Sequence, residues 1–167
     1  MESFSGQASD YDPRDALADV AASRESVADR LITPWWYHPI LGAIMAAIVA
    51  ANALALPNGA VIVVTLLGAT GLGALVGAYR RATGLWVDLR SAGPASRRWW
   101  ILYAVVLGAT MGAALLATVA DVSYPAWFAV TLAAVTLVAT VVLGRRVDAA
   151  LRDEIRSGTA PLPGPAR

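Results

Sequence analysis

Four long apolar stretches set the pattern of this chain, at about residues 39–56, 60–79, 99–120 and 126–144. Each is close to the roughly 20 residues that a helix needs to cross about 30 Å of hydrocarbon. None carries Asp, Glu, Arg or His in its middle, and none has the polar face of a surface helix. Pro57-Asn58-Gly59 and Ser123-Tyr124-Pro125 turn the chain between the members of each pair. The pattern predicts two helical hairpins. The polar stretch 80–98 contains Gly93-Pro94 and reads as a loop, with a short interfacial piece at Leu85-Trp86-Val87.

Both flanks read as helical. Asp12-Pro13 forms an N-cap followed by proline in the first helical position, with Asp15 in the first turn. From there a helix over 13–32 is expected, with Leu17, Val20, Val27 and Leu31 on a weakly apolar face and Thr33-Pro34 as its stop. After the last apolar stretch, Val147, Leu151 and Ile155 keep the helical period, so the helix should continue to Ser157-Gly158. The proline-containing tail beyond is expected to lack structure.

Composition strengthens this reading. Apolar residues make up 57% of the chain and charged ones 15%, against about 25% charged in an average soluble domain. Cysteine is absent, which removes disulfides, thiol redox chemistry and thiolate metal sites, and a single histidine argues against a His-built one. All 13 basic residues are arginine, a bias that fits a GC-rich bacterial genome such as an actinobacterial one. Residues 1–31 hold seven acids and three arginines, net −4, whereas 80–98 hold five arginines and Asp88, net +4. The N-terminal residues have neither the basic start nor the apolar core of a signal peptide.

Arginine placement predicts orientation. The N-terminal segment, the 80–98 loop and the C-terminal segment carry every arginine, and the two short turns carry none. The positive-inside rule then puts both termini and the loop in the cytoplasm, with Arg80, Arg81, Arg97, Arg98, Arg145 and Arg146 as topology determinants. Trp35, Trp36, Tyr79, Trp99 and Trp100 would anchor at the inner interface and Trp127 at the outer one. His38 would share that inner boundary with Trp35, Trp36 and Tyr37. A pH-sensitive group or a haem ligand is the other reading, and it finds no second ligand in the sequence.

Within the membrane the chemistry is thin. No buried ionisable group suits proton coupling, and no Ser/His, Asp/Asp or His/Glu set can be assembled for intramembrane hydrolysis. An enzyme is not expected, and neither is a cofactor or a metal. Gly73-x-x-x-Gly77 and Gly108-x-x-x-Gly112 would let helix backbones approach closely, either inside the chain or between copies. Thr136 and Thr140 share a helix face and weakly suggest a polar pore lining. The run Leu41 to Ala47 resembles Leu107 to Ala113, and each hairpin ends in Arg-Arg, so the hairpins read either as a duplication or as coincidence in an alanine-rich sequence. The acidic first helix either folds back on the basic loop or the arginine-bearing C-terminal extension, or stays solvated.

At Thr33-Pro34-Trp35-Trp36-Tyr37-His38-Pro39 and at Tyr79-Arg80-Arg81-Ala82-Thr83-Gly84-Leu85-Trp86 the chain resembles a group of small, uncharacterised actinobacterial four-span membrane proteins. The resemblance implies fold and compartment only. The expected architecture is an all-α polytopic membrane four-helix bundle of two hairpins. Residues 1–34 form the cytoplasmic N-terminal segment with its amphipathic helix, 35–146 the membrane domain, and 147–167 a helical extension and tail. The bacterial cytoplasmic membrane is the expected location, and lipid plus either a second copy or another membrane protein the expected partners. Nucleic acid is not expected, because topology already accounts for the arginines. A non-enzymatic scaffold or accessory subunit is the expected role, with an oligomeric channel or exporter component as the alternative.

Overall fold

A computed structural model describes residues 12–30, 33–83, 93–120 and 124–159, and every regular element among them is helical. The interfacial piece expected at 85–87 and the tail beyond 159 lie outside the described residues. Helix α1 covers Pro13–Arg30, α2 Tyr37–Ala53, α3 Asn58–Thr83, α4 Pro94–Val119 and α5 Ala126–Ser157. The α1 start is the expected one: the Arg14 amide donates to Asp12 Oδ1 at 2.9 Å. Helices α3, α4 and α5 are each long and apolar enough to cross a membrane, while α2 is apolar and 17 residues long.

Contacts between named residues fix how the helices run. Ile44 and Ile48 of α2 lie over Gly71 and Gly68 of α3, and Tyr37 stacks on Tyr79 at 4.9 Å. Advancing along α2 therefore means retreating along α3. Gly42 meets Leu137 and Thr140, while His38 meets Gly144, so α2 and α5 are also antiparallel. Ser96 faces Glu154 and Tyr103 faces Thr140, which gives the same relation for α4 and α5. The four helices thus alternate in direction. One end of the molecule collects the start of α2, the end of α3, the start of α4 and the Arg145-Arg146 region of α5.

Packing is uneven. Helix α5 is central, lying along both α2 and α4, which also touch each other. Helix α3 has only α2 as an extensive partner. The arrangement is a core of α2, α4 and α5 with α3 outboard against α2. Small side chains make the core possible: Val49, Ala53, Ala114 and Ala129 are fully buried, with Met111 and Leu132 against them. Where lipid is as apolar as leucine, close backbone approach and van der Waals contact hold such helices together. At Gly42 a Cβ would stand 3.1 Å from the Leu137 carbonyl oxygen, so a larger residue would push these two backbones apart by a few tenths of an ångström.

Helix α5 has 32 residues, which at about 1.5 Å each exceed the thickness of bilayer hydrocarbon. Its apolar stretch ends at Gly144, and the charged remainder continues as predicted to Ser157. Gly158 then adopts a left-handed conformation (φ 73°) and closes the helix, with Thr159 N–H donating to Glu154 O at 2.9 Å. Helix α1 packs along this extension with Ala28 fully buried.

Candidate functional site

The polar chemistry of the described residues gathers at the arginine end. Helix α4 starts there without a side-chain cap from its own sequence, and its cap comes from α5. Glu154 is buried and accepts from the Ala95 amide at 2.6 Å and from the Ser96 amide at 3.3 Å. A carboxylate on the unpaired amides of a helix start is favoured by both hydrogen bonding and the helix dipole. Gly93 makes room for it, because a Cβ there would stand 2.5 Å from the carboxyl carbon. Burial by itself would raise the Glu154 pKa; hydrogen bonds from Ser96 and from the Ala95, Ser96 and Gly93 amides outweigh it and hold the group below its ordinary 4.5. This cap corrects the loop expected over 80–98. Arg80 and Arg81 belong to the last turns of α3, and Pro94 to Arg98 are already helical.

A second cluster joins α2, α3 and α5. His38 is buried, with Nε2 3.6 Å from Asp148 Oδ2. That distance suits an ion pair when the imidazole is protonated and is too long for a hydrogen bond. Thr33 lies within side-chain reach of both Asp148 and Tyr79. The imidazole lies on Gly144, where any Cβ would collide with the ring. His38 is therefore wedged between α2 and α5 beside a carboxylate, and does not simply share an aromatic boundary. Its pairing with Asp148 joins segments far apart in sequence, and no local pattern announces it.

The other site residues separate by end. Arg80, Arg81, Arg97, Arg98, Arg145 and Arg146 all lie exposed at the arginine end. Trp35 is exposed and Trp36 half-buried there, and Trp100 meets Tyr103 edge-on at 5.9 Å. Trp99 is half-buried beneath two guanidiniums, Arg98 at 5.7 Å and Arg146 at 5.8 Å from its ring centroid. Trp127 stands exposed at the opposite end, edge-on to Phe128 at 5.8 Å.

The glycine motifs make no close helix contact among the described residues. A Cβ at Gly73, Gly77, Gly108 or Gly112 would meet nothing within 4 Å, whereas Gly42, Gly68 and Gly144 are in close helix contacts. Thr136 and Thr140 are buried and donate to Leu132 O at 2.8 Å and Thr136 O at 2.7 Å. Their hydroxyls are spent on their own helix, which leaves little for a pore lining. Among the described residues, no three His, Asp or Glu side chains gather as metal ligands. Comparison with protein families, curated proteins and solved structures finds no match to this chain.

Proposed function

We propose that this chain is an integral protein of a bacterial cytoplasmic membrane, with α2 to α5 all crossing and both termini in the cytoplasm. On this reading it is a non-enzymatic scaffold or accessory subunit, and its layout is that of the small, uncharacterised actinobacterial four-span proteins it resembles. Two features support four crossings. Helix α2 lies between α3 and α5, each long enough to span, so it shares their depth. All six paired arginines collect at one end, and the turn at Pro57 to Gly59 has none. The cysteine-free chain gives a clean test. Asn58→Cys should react with an impermeant maleimide from outside intact cells, and Ser157→Cys only after lysis. The reverse pattern overturns the orientation.

The scaffold reading rests on α1. Thr33 contacts Asp148, and Arg24 reaches Gly158 at the end of α5, so α1 runs antiparallel to the extension. Its first half then passes beyond the end of α5, leaving Leu17 and Val20 exposed (70% and 46%) beside Asp15 and Asp19. An apolar strip on an acidic helix clear of the membrane suits a protein partner better than an anionic bilayer. One observation favours the oligomer instead: Gly73 and Gly77 are uncovered on outboard α3. Purification from the native membrane in mild detergent separates the two. Stoichiometric recovery of another protein, lost in Leu17→Glu/Val20→Glu, supports the scaffold. A homo-oligomer with solute flux in liposomes overturns it.

A further inference from the structure

We propose that the α4–α5 seam at the arginine end is a headgroup site for an anionic phospholipid, its phosphodiester held by Arg98 and Arg146 on the indole of Trp99. This inference rests on the membrane placement above. The two guanidiniums come from different helices and converge on one ring, at 5.7 and 5.8 Å from its centroid. A guanidinium held over an aromatic ring by cation–π attraction spends no N–H donor on that contact and keeps its donors for phosphate oxygens. Arg97 and Arg145 flank the pair, also exposed.

Among the described residues, none of these four arginines forms an ion pair with a carboxylate, and two of the three acids of α5 are engaged elsewhere. Asp148 faces His38, and Glu154 caps α4. Like charges gathered this way repel, and an external anion relieves that.

What lies beneath the arginines identifies the anion. On α4, Leu102 and Val105 follow Arg98 by one and two turns; on α5, Val142 and Val138 precede Arg146 by one and two turns. The antiparallel register sets Leu102 level with Val142 and Val105 level with Val138, and all four are exposed. A basic rim over exposed apolar side chains of two neighbouring helices fits a phosphate with an acyl chain below it. Free phosphate, acidic peptide or nucleic acid would use the rim and leave those apolar side chains bare.

The test uses the full chain purified in a neutral detergent, with bound lipid counted by native mass spectrometry during titration with phosphatidylglycerol or phosphatidylcholine. Wild type should prefer phosphatidylglycerol by roughly tenfold or more. Arg98→Gln/Arg146→Gln should lose most of that preference. Arg98→Lys/Arg146→Lys, which keeps the charge, should lose part of it, as should Trp99→Leu. Arg80→Gln/Arg81→Gln removes equal charge at the same end and should leave the preference intact. Equal binding of the two lipids overturns the site, as does an equal loss in both glutamine pairs, which would mean diffuse attraction. Displacement of phosphatidylglycerol by millimolar inorganic phosphate overturns the lipid assignment in favour of a free anion. Carbonate washing of membranes tests the placement separately: a retained chain with no lipid preference sinks the site alone, and a released chain sinks both.

Discussion

The two ends of the helical core are held together in different ways. At the arginine end, contacts between helices depend on particular atoms: the Glu154 carboxylate on the α4 amides, His38 against Asp148, and Tyr37 on Tyr79. Toward the opposite end they depend mainly on the smallness of Ala53, Ala114 and Ala129 around Val49, with one long hydrogen bond from the Thr118 hydroxyl to Asn52 O at 3.4 Å. A seam of alanines changes little if one helix slides by a turn, because the next alanine offers the same surface. A carboxylate that slides by a turn leaves buried amides without an acceptor. The polar end therefore sets register and the alanine region supplies closeness. The comparison breaks if disturbing either end has the same consequence.

The largest effect should follow Glu154→Ala. It leaves the Ala95 and Ser96 amides without their acceptor, and charged hydrogen bonds of this kind contribute about 1.5–3 kcal/mol each. A net loss of about 3 kcal/mol is expected in denaturation from mixed micelles, together with weaker disulfide trapping between cysteines placed at the α4–α5 arginine end. Trapping near Ala114 and Ala129 should persist. The same group predicts a pH dependence. Its folded pKa lies below its ordinary 4.5, so the unfolded chain binds the proton more readily as pH falls. The stability it contributes is complete above about pH 4.5 and disappears as pH drops through the lower folded value. The gap between wild type and Glu154→Gln should close below that range; a gap that widens in acid would mean that the carboxylate is not the acceptor.

Gly144→Ala comes next. The new Cβ would run into the His38 ring, and overpacking of this kind costs about 1–3 kcal/mol, offset in part by roughly 1 kcal/mol of helix propensity. A loss of about 2 kcal/mol is expected. In a His38→Ala background the cost should vanish, since the obstructing ring is gone. A double-mutant cycle with no coupling would show that the α2–α5 seam is as forgiving at this end as at the other.

What was legible in the sequence is local. The Asp12 cap, the four apolar stretches and the extension of α5 to Gly158 each announce themselves within a few residues, and the helices begin and end close to where those signals fall. Pairings between distant segments were not legible. The α4 start at Pro94 was hidden because its cap is Glu154, carried by another helix. His38 looked unpartnered because Asp148 lies in the extension of α5. Gly73, Gly77, Gly108 and Gly112 looked like the packing seams, but a small residue says only that approach is allowed, not from which side. The glycines in close contact between helices include Gly42, Gly68, Gly71 and Gly144, no two of which are four residues apart. The outboard position of α3 was hidden too, since its apolar residues read alike whether they face helix or lipid.

Val49→Ala probes the alanine region. Val49 is fully buried, and removing two methyl groups from a packed core should cost about 1 kcal/mol. Register should be unaffected, with α4–α5 trapping unchanged at both ends. A change of trapping pattern would mean that shape alone holds register here and that the polar clamps are dispensable.

The smallest effect has the opposite sign and isolates the turn that closes this quieter end. Ala55 has φ 47°, in the left-handed region, immediately after α2. It stands where glycine commonly ends a helix: Leu56 N–H returns to Ala51 O at 3.3 Å and Ala55 N–H to Asn52 O at 3.0 Å. A Cβ in that conformation is crowded, and glycine removes the crowding at some cost in unfolded-chain entropy. Ala55→Gly should stabilise the protein by about 0.5–1 kcal/mol and leave the contacts of Glu154 and His38 untouched. If it destabilises instead, the turn is not left-handed in the membrane, α2 continues past Ala53, and the alanine region is closed by a longer helix in place of a tight turn.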